Sequence, residues 1–287
     1  MKNTIFSEKQ KQSTGFRFFI YVMLFLICSL LGAGISAFMM LSNDINLIKA
    51  AQGISHVMMF TLPPIGLYLL TREKPMQEIG FRKFNPTWAF FAGLALMFIS
   101  LPITNLLTEW NGQMNFGDVF AKLEALLKSM EDAAEALTER MLNVDTFGGL
   151  LLNLLVIALI PAIGEELTFR GVLQQALTKR CKSPHVAIIL TAAIFSFIHF
   201  QFYGFLPRMF LGLILGYMFY ATGSIWTSIG MHFLNNGTAV VVYYLDNKGI
   251  IDAEVDTFGA TSNVFLITLS MAATIVIIAL AMKKNKQ

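Results

Sequence analysis

The stretch LLLNLLVIALIPAIGEELTFR, residues 150–170, decides how this chain is read. An apolar run from Leu150 to Gly164 ends on the adjacent carboxylates Glu165 and Glu166, and Arg170 follows one helical turn later. A carboxylate near the middle of a bilayer costs roughly 2.5–3.5 kcal/mol on insertion scales, so such groups face a protein interior and have a task there. By the i,i+4 rule Glu166 and Arg170 share a helical face and can pair.

The rest of the chain is built in the same way. Of 287 residues, 55% are hydrophobic and 14% charged, and the mean hydropathy is +0.63, beyond what a soluble domain uses to fill its core. At about 20 apolar residues per crossing, eight spans are expected, at about 17–42, 50–71, 86–108, 147–168, 186–203, 205–222, 224–244 and 262–282. The fold class read from this is all-α: one polytopic helical membrane domain over 1–287. Self-similarity that would divide it into repeats is not evident. Cys28 and Cys181 are too far apart in the topology to pair, and no disulfide framework is implied.

Basic residues set the expected orientation. Lys2, Lys9, Lys11 and Arg17 precede the first span; Arg72, Lys74, Arg82 and Lys83 lie between spans two and three; Lys179, Arg180 and Lys182 between four and five; Lys283, Lys284 and Lys286 end the chain. All fall on one side if the spans alternate. The other side carries Glu109, Asp118, Glu131, Asp132, Glu135, Asp246, Asp252, Glu254 and Asp256. A multi-pass protein of the cell membrane with both termini cytoplasmic is expected. The net charge of +3 then reflects topology and gives no case for nucleic-acid binding. The first span is too long for the apolar core of a cleaved signal and reads as a retained anchor.

Between spans three and four, Val119, Leu123, Leu126, Leu127, Met130, Ala134, Leu137 and Met141 recur every three to four residues. This predicts an amphipathic helix over 118–143, lying on the membrane surface or covering a substrate entrance. Pro63-Pro64 and Pro161 lack the amide hydrogen a helix needs and are expected to loosen spans two and four.

Two of the four histidines join this polar inventory. His199 ends Phe195-Ser-Phe-Ile-His199, and His232 begins His232-Phe-Leu-Asn-Asn236, which places His232 and Asn236 on one face. If spans four and five turn near Lys182-Ser183-Pro184, Glu165 and His199 are each seventeen residues from Lys182 and stand at equal height. His232 lies about nine residues beyond a turn at Gly223, on the order of 13 Å along its helix. Carboxylate, imidazoles and carboxamide at one level have the groups needed to activate water and hold an oxyanion. His56 and His185 match no motif and are left out of the expected site. Gly212 and Gly216 form a G-x-x-x-G face for close helix packing.

At these positions the chain resembles the CAAX-protease and bacteriocin-processing family of intramembrane endopeptidases, whose motifs are E-E-x-x-x-R, F-x-x-x-H and H-x-x-x-N/D, in that order, on successive helices. All three are intact here, and the resemblance covers about residues 147–244, the expected catalytic core. It implies proteolysis of a membrane-associated, prenylated or leader-type peptide. Glu165 would act as general base on a water shared with His199, His232 and Asn236 as oxyanion donors, and Glu166 with Arg170 as a supporting ion pair. A metal such as Zn held by Glu165, His199 and His232 is the alternative chemistry, although H-E-x-x-H is absent; the favoured reading has no cofactor. G-x-S-G and G-x-G-D, expected of serine and aspartyl intramembrane enzymes, are also absent. A non-proteolytic scaffold or bacteriocin-immunity protein, or a transporter, are readings of a different class. Neither the substrate nor the oligomeric state is legible.

Overall fold

The computed structural model describes residues 14–71, 80–81, 88–252 and 258–284. Lys2, Lys9, Lys11, Arg72, Lys74, Arg82, Lys83, Glu254, Asp256 and Lys286 lie outside the described residues. Every regular element among those described is helical, and the chain is a polytopic all-α membrane protein. Among the described residues, five helical spans are long and apolar enough to cross a bilayer, or six if the pair flanking Ser100 counts as one crossing.

The first crossing is α1 (Thr14–Met39). The second joins α2 (Ile45–His56) to α3 (Leu62–Thr71) through a π-helical turn, Val57–Thr61. α4 (Trp88–Ile99) and α5 (Leu101–Gly112) bend by 45° at Ser100, where Pro102 opens the new helix and supplies no amide hydrogen to the old one. The longest crossing runs from Phe147 to Cys181, through α7 (Phe147–Asn153), α8 (Ile160–Glu166) and α9 (Gln175–Cys181) with two π-helical stretches between them. It continues past residue 168, where the expected span ends, to Cys181. α10 (Pro184–Phe197), α11 (Phe205–Thr222), α12 (Ile225–Asn247) and α13 (Val264–Lys284) complete the bundle.

Two expected spans differ from the apolar standard. α10 has 14 residues, about 21 Å of rise against a hydrocarbon core of about 30 Å, and the segment expected at 186–203 breaks after Phe197. α12 has 23 residues but gives several positions to Ser228, His232, Asn235 and Asn236. The polar residues that shorten or dilute these helices are those that build the site.

Prolines explain the irregular turns. Pro64 has no hydrogen for the carbonyl of Phe60, which instead accepts from Thr168 Oγ1 at 2.8 Å. Pro161 likewise frees the carbonyl of Ile157, which accepts from Asn236 Nδ2 at 3.4 Å. A π-helical turn precedes both prolines, and a side chain from a neighbouring helix answers each freed acceptor, as a buried carbonyl in lipid requires.

Close packing holds α10, and with it the crossing from Phe147, against α11. A Cβ on Gly212 would lie 3.1 Å from Ala192, and one on Gly216 2.9 Å from Ile188 Cγ2. The carbonyls of these two glycines accept from Arg170 Nη2 at 2.9 Å and Gln174 Nε2 at 3.0 Å. The G-x-x-x-G face is therefore used within the bundle. Phe60, Phe169 and Phe195 form a small buried aromatic cluster on the same side of the site.

The amphipathic helix is α6 (Ala121–Leu142), entered through a 3₁₀ turn at Asp118–Phe120. Only Met141 and Leu142 of it are buried, while Val119, Leu123, Leu126 and Met130 are exposed apolar groups. Its polar face meets the turn between α10 and α11: Tyr203 donates its amide hydrogen to Glu131 Oε2 at 2.8 Å and its hydroxyl hydrogen to Glu124 Oε1 at 3.2 Å.

Candidate active site

The hairpin that brings Glu165 and His199 together is formed as the residue count anticipates. Lys182 closes α9 in the left-handed region at φ 54°, and the Ser183 hydroxyl caps α10, whose first residue is Pro184. At the far end of α10, His199 stands just outside the helix in a turn pinned from several directions. Ser196 Oγ donates to the carbonyl of Phe205 at 2.7 Å. Asn111, fully buried at the end of α5, donates to the carbonyl of Phe202 and accepts from the amide of Leu206. This turn lies at the end of α10 remote from the basic Lys182 turn.

Glu165, His199, His232, Asn235, Asn236 and Arg208 line one cavity of about 300 Å³, with Phe195, Leu211 and Ile214 among its apolar walls. Glu165 is 6% exposed and Glu166 not at all. The two neighbours diverge because successive helical residues point about 100° apart. Glu165 faces the cavity, whereas Glu166 faces α12 and Arg170.

Glu166 Oε1 accepts from Arg170 Nη1 at 2.7 Å and lies 2.9 Å from His232 Nδ1. Arg170, also fully buried, has its guanidinium 5.1 Å from the centre of the Phe195 ring. The expected ion pair is present and does more than support the helix, since the same oxygen fixes His232. With Nδ1 so engaged, His232 Nε2 is turned toward Glu165, 3.8 Å from Oε2.

His199 Nδ1 lies 2.7 Å from the carbonyl of Phe195. A carbonyl only accepts, so Nδ1 carries the hydrogen and Nε2 is left as an acceptor. His199 makes no direct ion contact with Glu165; the two are joined by the cavity that both line. Asn236 accepts from Asn235 Nδ2 at 3.1 Å through Oδ1, and one of its two Nδ2 hydrogens meets Ile157, leaving the other for the cavity.

Three residues belong to this site that motif reasoning left out. Arg208, on α11, is fastened to Gln201 by Nη2 at 2.9 Å and Nη1 at 3.3 Å; an arginine inside an otherwise apolar span was the signal for it. Asn235 was visible beside Asn236. His56, at the end of α2, places Nε2 3.6 Å from Glu165 Oε1, and no motif marks it. The fourth histidine, His185, is elsewhere, 3.2 Å from the Tyr217 hydroxyl.

For a metal, Glu165, His199 and His232 offer suitable donor atoms. Among the described residues, however, no three His, Cys, Asp or Glu side chains are gathered closely enough to hold an ion. Each ring has one nitrogen turned inward, to a carboxylate or carbonyl, and the other turned toward the cavity or Glu165. This arrangement suits hydrogen bonding to a water and to a polar substrate.

Comparison with known proteins bears on this site directly. Residues 147–238 match the type II CAAX prenyl endopeptidase Rce1-like family. No curated protein and no solved structure matches the chain. The matched segment contains Glu165, Glu166, Arg170, His199, His232 and Asn236, and over it the chain is similar to that family.

Proposed function

We propose that the protein hydrolyses a peptide bond of a membrane-associated peptide, using a water activated by Glu165. The observation that carries this reading is the sharing of one cavity by Glu165, His199, His232 and Asn236.

In this scheme the water donates one hydrogen to Glu165 and the other toward His199 Nε2, which turns an oxygen lone pair toward the substrate carbonyl. As water oxygen bonds to the carbonyl carbon, Glu165 takes its proton and the carbonyl oxygen becomes an oxyanion. Asn236 Nδ2 and the Nε2–H of a protonated His232 donate to that oxyanion, and each such donor typically contributes a few kcal/mol. His232 is suited to this because Glu166 holds its Nδ1 hydrogen. The tetrahedral carbon then collapses, the C–N bond breaks, and Glu165 returns its proton to the leaving nitrogen. One carboxylate serves as base and then as acid, so the cavity ends the cycle with the charge it began with.

The apolar walls favour a substrate whose neighbouring residues or lipid group are hydrophobic. A farnesylated peptide ending in a C-a-a-X sequence is the matching probe, presented to purified protein in liposomes. Wild type should release the C-terminal tripeptide. Glu165→Gln and His199→Ala should slow release by about 10²–10⁴, the range for general-base catalysis, with unchanged melting behaviour. Insensitivity to chelators, with no stoichiometric metal in active protein, is expected of the glutamate mechanism. Loss on chelation and recovery with Zn would move the chemistry to a metal.

A further inference from the structure

We propose that His56 is a positioning residue for Glu165, holding Oε1 so that Oε2 is the oxygen presented toward His232 and the cavity. The proposal rests on the reading of Glu165 as the base and adds a fifth helix segment to the site, outside the three motifs.

Glu165 has its two oxygens divided between two imidazoles: Oε1 is 3.6 Å from His56 Nε2, and Oε2 is 3.8 Å from His232 Nε2. A base that must meet a water from one direction gains from having its other oxygen tied. His56 Nε2 is buried with no hydrogen-bond partner, while the ring's other nitrogen is engaged by the Pro161 carbonyl. An unpaired nitrogen in such surroundings is costly unless a partner is close. Glu165 is the carboxylate within reach. At 3.6 Å the contact is a few tenths of an ångström longer than a hydrogen bond, and contacts of this kind in unliganded sites shorten when substrate is bound. For Glu165 to serve as base the hydrogen of this bond sits on the ring: the imidazolium Nε2–H donates to Oε1 of the ionised carboxylate.

The local backbone is built for this approach. A Cβ on Gly164 would lie 2.8 Å from Thr61 Oγ1, 3.1 Å from Phe60 Cβ and 3.4 Å from His56 Cδ2. A glycine next to Glu165 therefore admits the end of α2 and the π-helical turn after it. That turn is fixed in turn by Thr168 on the carbonyl of Phe60, and the His56 ring lies 4.7 Å from that of Phe60, tilted by 40°.

The test compares His56→Phe, which keeps a ring without nitrogen, with His56→Gln, whose amide nitrogen reaches about as far as Nε2. Cleavage of the farnesylated C-a-a-X peptide by reconstituted protein is measured for both. His56→Phe should lower kcat on the order of 10- to 100-fold with KM unchanged, and His56→Gln should recover most of it. Full activity of His56→Phe, or equal losses in both variants, overturns the proposal, as does an effect confined to KM. A second measurement needs no turnover: with ¹⁵N-histidine labelling, the His56 ring resonances, identified by their loss in His56→Phe, should shift in Glu165→Gln while those of His185 do not. Unshifted His56 resonances overturn the pairing. A shift in a protein that cleaves nothing upholds the pairing and overturns the protease reading instead.

Discussion

One oxygen of Glu166 joins a cation and an imidazole: Oε1 lies 2.7 Å from Arg170 Nη1 and 2.9 Å from His232 Nδ1. All three side chains are buried. The second carboxylate of the pair thus neutralises a charge on its own helix and sets the ring orientation of a histidine on α12.

Stability and activity should separate at this cluster. Glu166→Leu leaves the Arg170 cation buried without its partner, which costs about 3–5 kcal/mol. Pairing it with Arg170→Met removes both charges and should restore most of that stability, because an apolar pair often replaces a buried ion pair without loss. Cleavage should stay lost in the double variant, since His232 Nδ1 still lacks its acceptor. Thermal unfolding in detergent, run beside the peptide assay, checks both halves; recovered cleavage in the double variant would remove Glu166 from the orientation of His232.

Gly164 gives a steric prediction. Gly164→Ala puts a methyl group against Thr61 and Phe60 and should cost about 1–3 kcal/mol as an overpacked contact. It should also displace Glu165 enough to lower kcat. Gly148→Ala, where nothing lies within 4 Å of the added Cβ, should leave both quantities near wild type. Equal tolerance at the two positions would contradict the close approach of α2 to α8.

The expected orientation puts the Lys179–Lys182 segment in the cytoplasm. Cys181 is partly accessible and, in a Cys28→Ser background, should react with a membrane-impermeant maleimide only after the cells are permeabilised. Labelling of intact cells would invert the topology.

Much of the site was legible because its logic is one-dimensional. The spacing of Glu166 and Arg170 fixes their pairing within one helix, and equal distances from Lys182 bring Glu165 level with His199. Arg208 was legible by the same rule that singled out Glu165, a charge inside an apolar span, but no motif surrounds it. His56 was not legible. Its place depends on a π-helical turn ahead of Pro63-Pro64 and on the missing side chain at Gly164, and neither has a periodic signature. The bond of Glu166 to His232 was equally hidden, since sequence spacing does not say which of two adjacent carboxylates faces α12. That the chain is a bundle of apolar helices was visible, but where α10 stops was not: the break after Phe197 is held by Ser196 and Asn111, a contact made across helices.

The central claim is that Glu165 activates the hydrolytic water, and it is tested most directly by comparing membrane peptidomes of cells carrying wild type and Glu165→Gln at equal expression. The account predicts at least one membrane-associated peptide that accumulates uncut in the variant and appears as two fragments in wild type. Indistinguishable peptidomes from the two strains would contradict it.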